Sequence, residues 1–175
     1  MVSPKNTFYT TFEQRLIITK WHAMNNQSFP SFKPDGLLPF TQTCPCRVRE
    51  TKSVHFDQCC APYLSGQALA PTAQALMRSR YSAYALGGRN APMAADMLRY
   101  LKATWHPDTL PQDLSLDPMQ WTGLKVLGSQ EDGDHGSVNF VAFYKEGGKT
   151  ERLAEHSAFE RVKGAWLYTK AKGLD

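Results

Sequence analysis

Val138-Asn139-Phe140-Val141-Ala142-Phe143-Tyr144-Lys145 sets Val138, Phe140, Ala142 and Tyr144 against Asn139, Val141 and Phe143. A period of two in β-branched and aromatic residues predicts a strand. Downstream, Gly147-Gly148 supplies a turn, Arg152 to Val162 a strand, Lys163-Gly164 another turn, and Ala165 to Lys170 a last strand. Upstream, Leu124 to Ser129 reads as a strand and Gly133 to Gly136 as the turn that follows it. The sum is an antiparallel meander. Earlier still the signals are helical. Pro71-Thr72 opens a helix from Ala73 to Leu86, with Thr72 as N-cap and Gly87-Gly88 as the stop. A second helix is predicted over Pro92 to Thr104, and Trp105-His106-Pro107 ends it. A loop containing Pro111 and Pro118 leads to Trp121. Helices first and an antiparallel sheet afterwards define an α+β fold with the helices on one face of the sheet.

The chain of 175 residues has the length of one domain with an appendage. It is 42% hydrophobic and 11% aromatic, enough to fill a core. Three of its four Trp and five of its seven Tyr follow residue 80, which locates that core in the α+β part. A net charge of +4 and a pI near 8.9 are mildly basic and do not by themselves argue for nucleic acid. Residues 1–43 are rich in Asn, Thr, Ser, Phe and Pro and read as an extension. Thr7 to Met24 is a strand or a short helix, and Met24 is an alternative start. The only apolar run near the N-terminus, Leu16-Ile17-Ile18, is too short for a secretory signal, and no stretch reaches the length of a membrane span. A cytoplasmic location is expected.

All four cysteines fall in one loop, residues 44–62, as Cys44-Pro45-Cys46 and Cys59-Cys60. In a reducing compartment such a cluster points to metal ligation rather than to disulfides. Four thiolates suit tetrahedral Zn2+ and leave no open coordination position, so the expected site is structural or interaction-bearing. His55 is a reserve ligand. Reactive redox thiols without metal, and inert thiols, are the alternatives.

At these residues the sequence becomes recognisable. The CPC pair with Phe56-x-x-Cys59-Cys60 resembles the SEC-C zinc motif, best known from the C-terminal tail of the SecA translocation motor. Leu76-Met77-Arg78-Ser79-Arg80-Tyr81-Ser82-Ala83-Tyr84, Thr104-Trp105-His106-Pro107, Phe140-Val141-Ala142 and Trp166-x-Tyr168 resemble the YchJ-like family of bacterial proteins. The likeness runs over residues 44–173. It implies a SEC-C-like knuckle at 44–62 ahead of a cone-shaped domain of the nuclear-transport-factor-2-like type at 70–173, and no particular reaction. Cone domains of this type often dimerise through their sheets, so a homodimer is an expectation too. Two departures stand out: Arg47-Val48 replace the Gly-Ser that usually follows CPC, and the twelve residues between Cys46 and Cys59 make a longer loop than the usual motif has. The second SEC-C motif that many relatives carry at the C-terminus is not seen before Asp175.

On a helical wheel, Ala83, Leu76, Arg80, Tyr84, Met77 and Tyr81 share one arc, whereas Arg78, Ser82 and Ala85 lie opposite. Arg80 near the middle of a core-facing arc needs a partner, because an unpaired buried charge is costly. Leu153, Glu155, Ser157 and Phe159 share one strand face, so Glu155 is predicted to pair with Arg80 inside the cone, with Tyr81 or Tyr84 nearby. That pair is either structural or the polar wall of a ligand pocket lined by Arg80, Tyr81, Tyr84, Trp105 and Glu155; exposure of one or both is the third option. His106 and His156 are candidate general bases. A helix-end cap competes with that role for His106, and an outward position for His156. Arg47, Arg49 and Lys52 form a basic group on the cysteine loop, either solvated or touching RNA or an acidic protein surface. No phosphate loop, GxSxG, HExxH or EF-hand pattern occurs. The leading expectation is a zinc-binding adaptor that docks on a protein or ribonucleoprotein partner through its knuckle. The alternative is a small-molecule binder or a lyase- or isomerase-type enzyme using the cone cavity.

Overall fold

The computed structural model describes residues 42–88 and 91–172, with the side chains of 91 and 92 left aside. The expected extension therefore lies, up to residue 41, outside the described residues. Helix α1 is one short turn, Ala61–Leu64. Helix α2 spans Ala73–Gly87 and α3 spans Ala91–Ala103. The strands are β1 (Gln120–Asp132), β2 (His135–Glu146), β3 (Lys149–Val162) and β4 (Ala165–Lys172), in the order β1-β2-β3-β4 with every pair antiparallel.

Local chemistry places these elements. The Thr72 side chain accepts from the Ala75 N–H and caps α2 as predicted, and the chain leaves the helix through Gly88. Strand β1 runs well beyond the expected Leu124 to Ser129, because pairing with β2 from Gln120↔Lys145 to Asp132↔His135 carries its polar end into the ladder. The expected turn at Gly133 to Gly136 tightens accordingly, and β2 already begins at His135. Lys163 and Gly164 both have positive φ, the backbone twist that a two-residue hairpin loop requires. Register shifts at Trp121/Gly123, Val126/Gly128 and Ala158/Phe159 bend the sheet into a curve.

Helix α2 is the centre of the molecule. It binds α3 through the Ser79–Tyr100 hydroxyl pair at 2.6 Å and through Arg80. It meets the sheet so closely that a Cβ on Gly136 would stand 2.8 Å from the Ala73 Cβ. The face opposite this contact is not solvated. Arg78, Ser82 and Ala85 are buried there, Arg78 and Ser82 against the cysteine loop. The knuckle and the cone share one core, in which Cys44, Cys46, Phe56, Cys60 and Leu64 join Leu76, Tyr81 and Leu124. Among the described residues no helix is long and apolar enough to cross a membrane.

Candidate metal centre and ligand cavity

The cysteine loop folds as two turns of 3-10 helix, Pro45–Arg47 and Phe56–Gln58, followed by α1. Between the two turns the chain doubles back. The Cys44 N–H donates to Val54 O, and the Phe56 N–H to Gln42 O. This return brings the four Sγ atoms within 4.8 Å of one another. Cys46 lies 3.5 Å from Cys44 and 3.6 Å from both Cys59 and Cys60, and Cys59 lies 3.8 Å from Cys60. Four sulfurs about 2.3 Å from a tetrahedral zinc ion stand about 3.8 Å apart, so the donor set fits that ion in number, chemistry and spacing. Cys44, Cys46 and Cys60 are buried, and Cys59 forms the rim.

Helix α2 supplies the floor. The Ser82 Oγ–H donates to Cys60 Sγ at 3.3 Å and stands 3.7 Å from Cys44 Sγ. Arg78 donates from Nη1 to Cys46 O at 3.1 Å and from Nη2 to Glu50 at 2.6 Å, while Arg47 holds the other Glu50 oxygen. Burial alone would push the Glu50 carboxyl up, but the hydrogen bonds and charges of Arg47 and Arg78 hold it below the usual range. Burial pushes the Cys60 thiol well up, whereas hydrogen bonds from Cys44, Cys46 and Cys60, with one from Arg47, hold Cys59 well down. Thiols set this close cannot all ionise alone; a cation among them removes that conflict. His55 is exposed in a bridge to Thr43 and is not part of the cluster.

On the other side of α2 lies a cavity of about 360 Å³. All five residues expected to line a pocket, Arg80, Tyr81, Tyr84, Trp105 and Glu155, stand in its wall. The sheet contributes one face by its period of two: Phe140 opposite Glu155, Ala142 opposite Leu153, and Phe159 opposite Tyr168. The predicted Arg80–Glu155 ion pair does not form. Arg80 Nη1 donates to Leu101 O and to Thr104 Oγ1, both at 2.8 Å, and the guanidinium lies over the rings of Trp105 and Tyr168. Glu155 Oε1 instead accepts from the Ser157 hydroxyl at 2.5 Å and the Tyr168 hydroxyl at 3.3 Å. Tyr168 stands between the two charges, with Arg80 over its ring and Glu155 at its hydroxyl. Burial lowers the Arg80 pKa and raises that of Tyr168.

The match to known proteins follows these lines. Residues 72–171 match the family described as YchJ, middle NTF2-like domain. A UPF0225 protein of Streptomyces coelicolor is 42% identical over 139 residues, covering 77% of this chain and 98% of its own. One from Chromobacterium violaceum is 48% identical over 134 residues, covering 71% and 88%. The chain belongs to the YchJ-like UPF0225 family. The solution structure of a SEC-C motif containing protein from Rhodopseudomonas palustris has a TM-score of 0.62 at 30% identity, covering 77% of this chain and 100% of that one. A crystal structure of another such protein from Psychrobacter arcticus shares the fold, with a TM-score of 0.58 at 24% identity over 78% and 86% of the two chains.

The matched YchJ span starts at Thr72, the cap of α2, so it holds the cavity and the floor of the metal centre while the cysteines precede it. Neither candidate base lines the cavity. His106 caps the 3-10 turn Pro107–Thr109, accepting from the Asp108 N–H. His156 pairs with Asn139 and Lys172 on the sheet face opposite Glu155. The basic group is largely committed within the chain: Arg47 is tied to Glu50, and Arg49 lies 4.1 Å over the Phe143 ring. Sequence reasoning missed Arg78 and Ser82 as neighbours of the cysteines, and Tyr168, Ser157 and Trp121 as walls of the cavity. Alternation in β3 and β4 carries a signal for Ser157 and Tyr168; nothing local carries one for the floor of the metal centre.

Proposed function

We propose that this protein binds a small molecule in the cone cavity, and that a zinc ion held by Cys44, Cys46, Cys59 and Cys60 stiffens the wall from behind. The observation that carries the reading is the cavity itself: about 360 Å³, walled mostly by aromatic and aliphatic side chains, with Arg80, Glu155, Ser157 and Tyr168 as its inner polar groups and the exposed Asp117 as a further carboxylate in its lining. Ligand sites have this size and this balance of many apolar contacts with few polar ones. The zinc belongs to the same reading, because α2 presents Ser82 to the cysteines and Arg80 to the cavity. A closed set of four thiolates supplies folding free energy rather than a reactive metal. Calorimetric titration with indole, an uncharged apolar probe, tests it. Binding in the unmodified protein, strongly weakened in Leu153→Trp, a lining residue that is also exposed to solvent, is the expected result. Binding unchanged by that plug places the probe elsewhere and removes the reading. Metal analysis of protein purified without an affinity tag should return about one zinc per chain.

A second reading has the knuckle dock on a protein or ribonucleoprotein partner through the face beside the CPC turn, where Val48 is 57% exposed. Val48→Glu should abolish partner capture with zinc content unchanged; capture that survives the substitution excludes this face.

A further inference from the structure

Arg80 is only 5% exposed, yet its hydrogen bonds go to neutral groups. The rings of Trp105 and Tyr168, 4.9 and 4.8 Å from its Cζ, cover the guanidinium and leave its edges for hydrogen bonding. One edge is spent on Leu101 O and Thr104 Oγ1 through Nη1. Among the described residues Nε and Nη2 donate to nothing, and no carboxylate pairs with the group. The Nε–H and Nη2–H edge is the two-donor fork that grips a carboxylate. A buried cation with only neutral partners is costly, and a carboxylate is the partner it lacks. Glu155 does not fill that place. Its Oε1 is engaged by Ser157 and Tyr168, and its Oε2 receives no donor among the described residues. On the same wall the Trp105 Nε1–H is buried without an acceptor.

We infer that the cavity takes a ring-bearing organic carboxylate, its carboxylate on the open edge of Arg80, its ring among Tyr84, Trp121 and Phe140, and an N–H or O–H of its own on Glu155 Oε2. The inference rests on the cavity reading above and names its ligand class. The cavity of about 360 Å³ is more than twice the roughly 150 Å³ that admits benzene, which suits two fused rings or one ring with a short arm. The apolar lining orients the ring, Arg80 and Glu155 read its two ends, and the lining's other carboxylate, Asp117, is exposed rather than buried beside Arg80.

Indole-3-acetate, indole-3-acetamide and indole separate the possibilities, because the first two differ in charge and hardly in shape. Calorimetric titration should give about tenfold tighter binding of the acetate than of the amide. Arg80→Met should erase that advantage while still binding indole. Should Arg80→Met fail to fold, the acetate-to-amide ratio in the unmodified protein decides alone. Equal affinity for acetate and amide in the unmodified protein overturns the carboxylate inference and leaves the cavity reading standing. Absence of binding by all three probes overturns both.

Discussion

The two faces of α2 carry arginines two residues apart, Arg78 at 6% exposure and Arg80 at 5%, in opposite circumstances. Arg78 faces the knuckle and is tied to the Glu50 carboxylate and the Cys46 carbonyl. Arg80 faces the cavity and meets a carbonyl, a hydroxyl and two aromatic rings, with no carboxylate. One face gives its arginine a carboxylate within the chain, as a structural site does, although Arg78 Nε stays buried without an acceptor. The other leaves hydrogen-bonding capacity facing a space. The difference teaches that burial alone does not separate scaffold from site; what each buried charge has for a counter-charge does.

The largest test of this contrast removes the closed face. Cys60→Ser, or chelation of the native protein, should abolish zinc content and the cooperative thermal transition together. Structural zinc contributes on the order of 10 kcal/mol, as much as a whole domain commonly has to spare. Near-UV circular dichroism and elemental analysis read the outcome, and a cavity that still binds indole after metal loss would break the coupling through α2. A sharper comparison substitutes each arginine by an apolar side chain of similar length. Arg78→Met leaves Glu50 to Arg47 alone and Cys46 O without its donor, and should cost about 2 kcal/mol in denaturant unfolding. Arg80→Met removes a buried charge along with two hydrogen bonds and should cost about 1 kcal/mol or less. Equal costs would erase the distinction between the faces.

Acid should act on the closed face too. The Glu50 pKa is lower in the folded protein than in the unfolded chain. Stability from its arginine bridges is therefore complete above the unfolded value of about 4.3 and is lost as pH falls through the folded value. Glu50→Gln should flatten that part of the profile, and the difference between the two unfolding curves isolates it from proton competition at the thiolates. A small effect is also expected from Ser82→Ala, which removes the hydroxyl donor from Cys60 and should cost about 0.5 kcal/mol with zinc still bound.

Much of this architecture was legible from residue order. Alternation in β2 and the Thr72 cap depend on near neighbours, and the wheel placed Leu76, Arg80 and Tyr84 on a core-facing arc for the same reason. The clustering of the cysteines was legible because all four fall within seventeen residues of one loop, in two close pairs. What residue order concealed was the company that a second layer provides. Arg78 and Ser82 looked unpartnered on the wheel because the loop that covers them precedes α2 in the chain and returns over it. Glu155 was rightly set on the inner sheet face, which lines the cavity rather than the core at Leu153, but its partner depended on the pairing of β3 with β4. A shift between Ala158 and Phe159 brings Tyr168 to Phe159 and its hydroxyl to Glu155.

Arg49 adds a matter of timing. Its side chain crosses the bulge at Gly123, where a Cβ would meet its Cγ at 2.5 Å, and comes to rest on Phe143. The thiols are made early in synthesis, whereas that seat exists only once β1 and β2 have paired, much later along the chain. Contacts so far apart in sequence form slowly. A nascent chain therefore carries all four thiols well before Arg49 can take its seat.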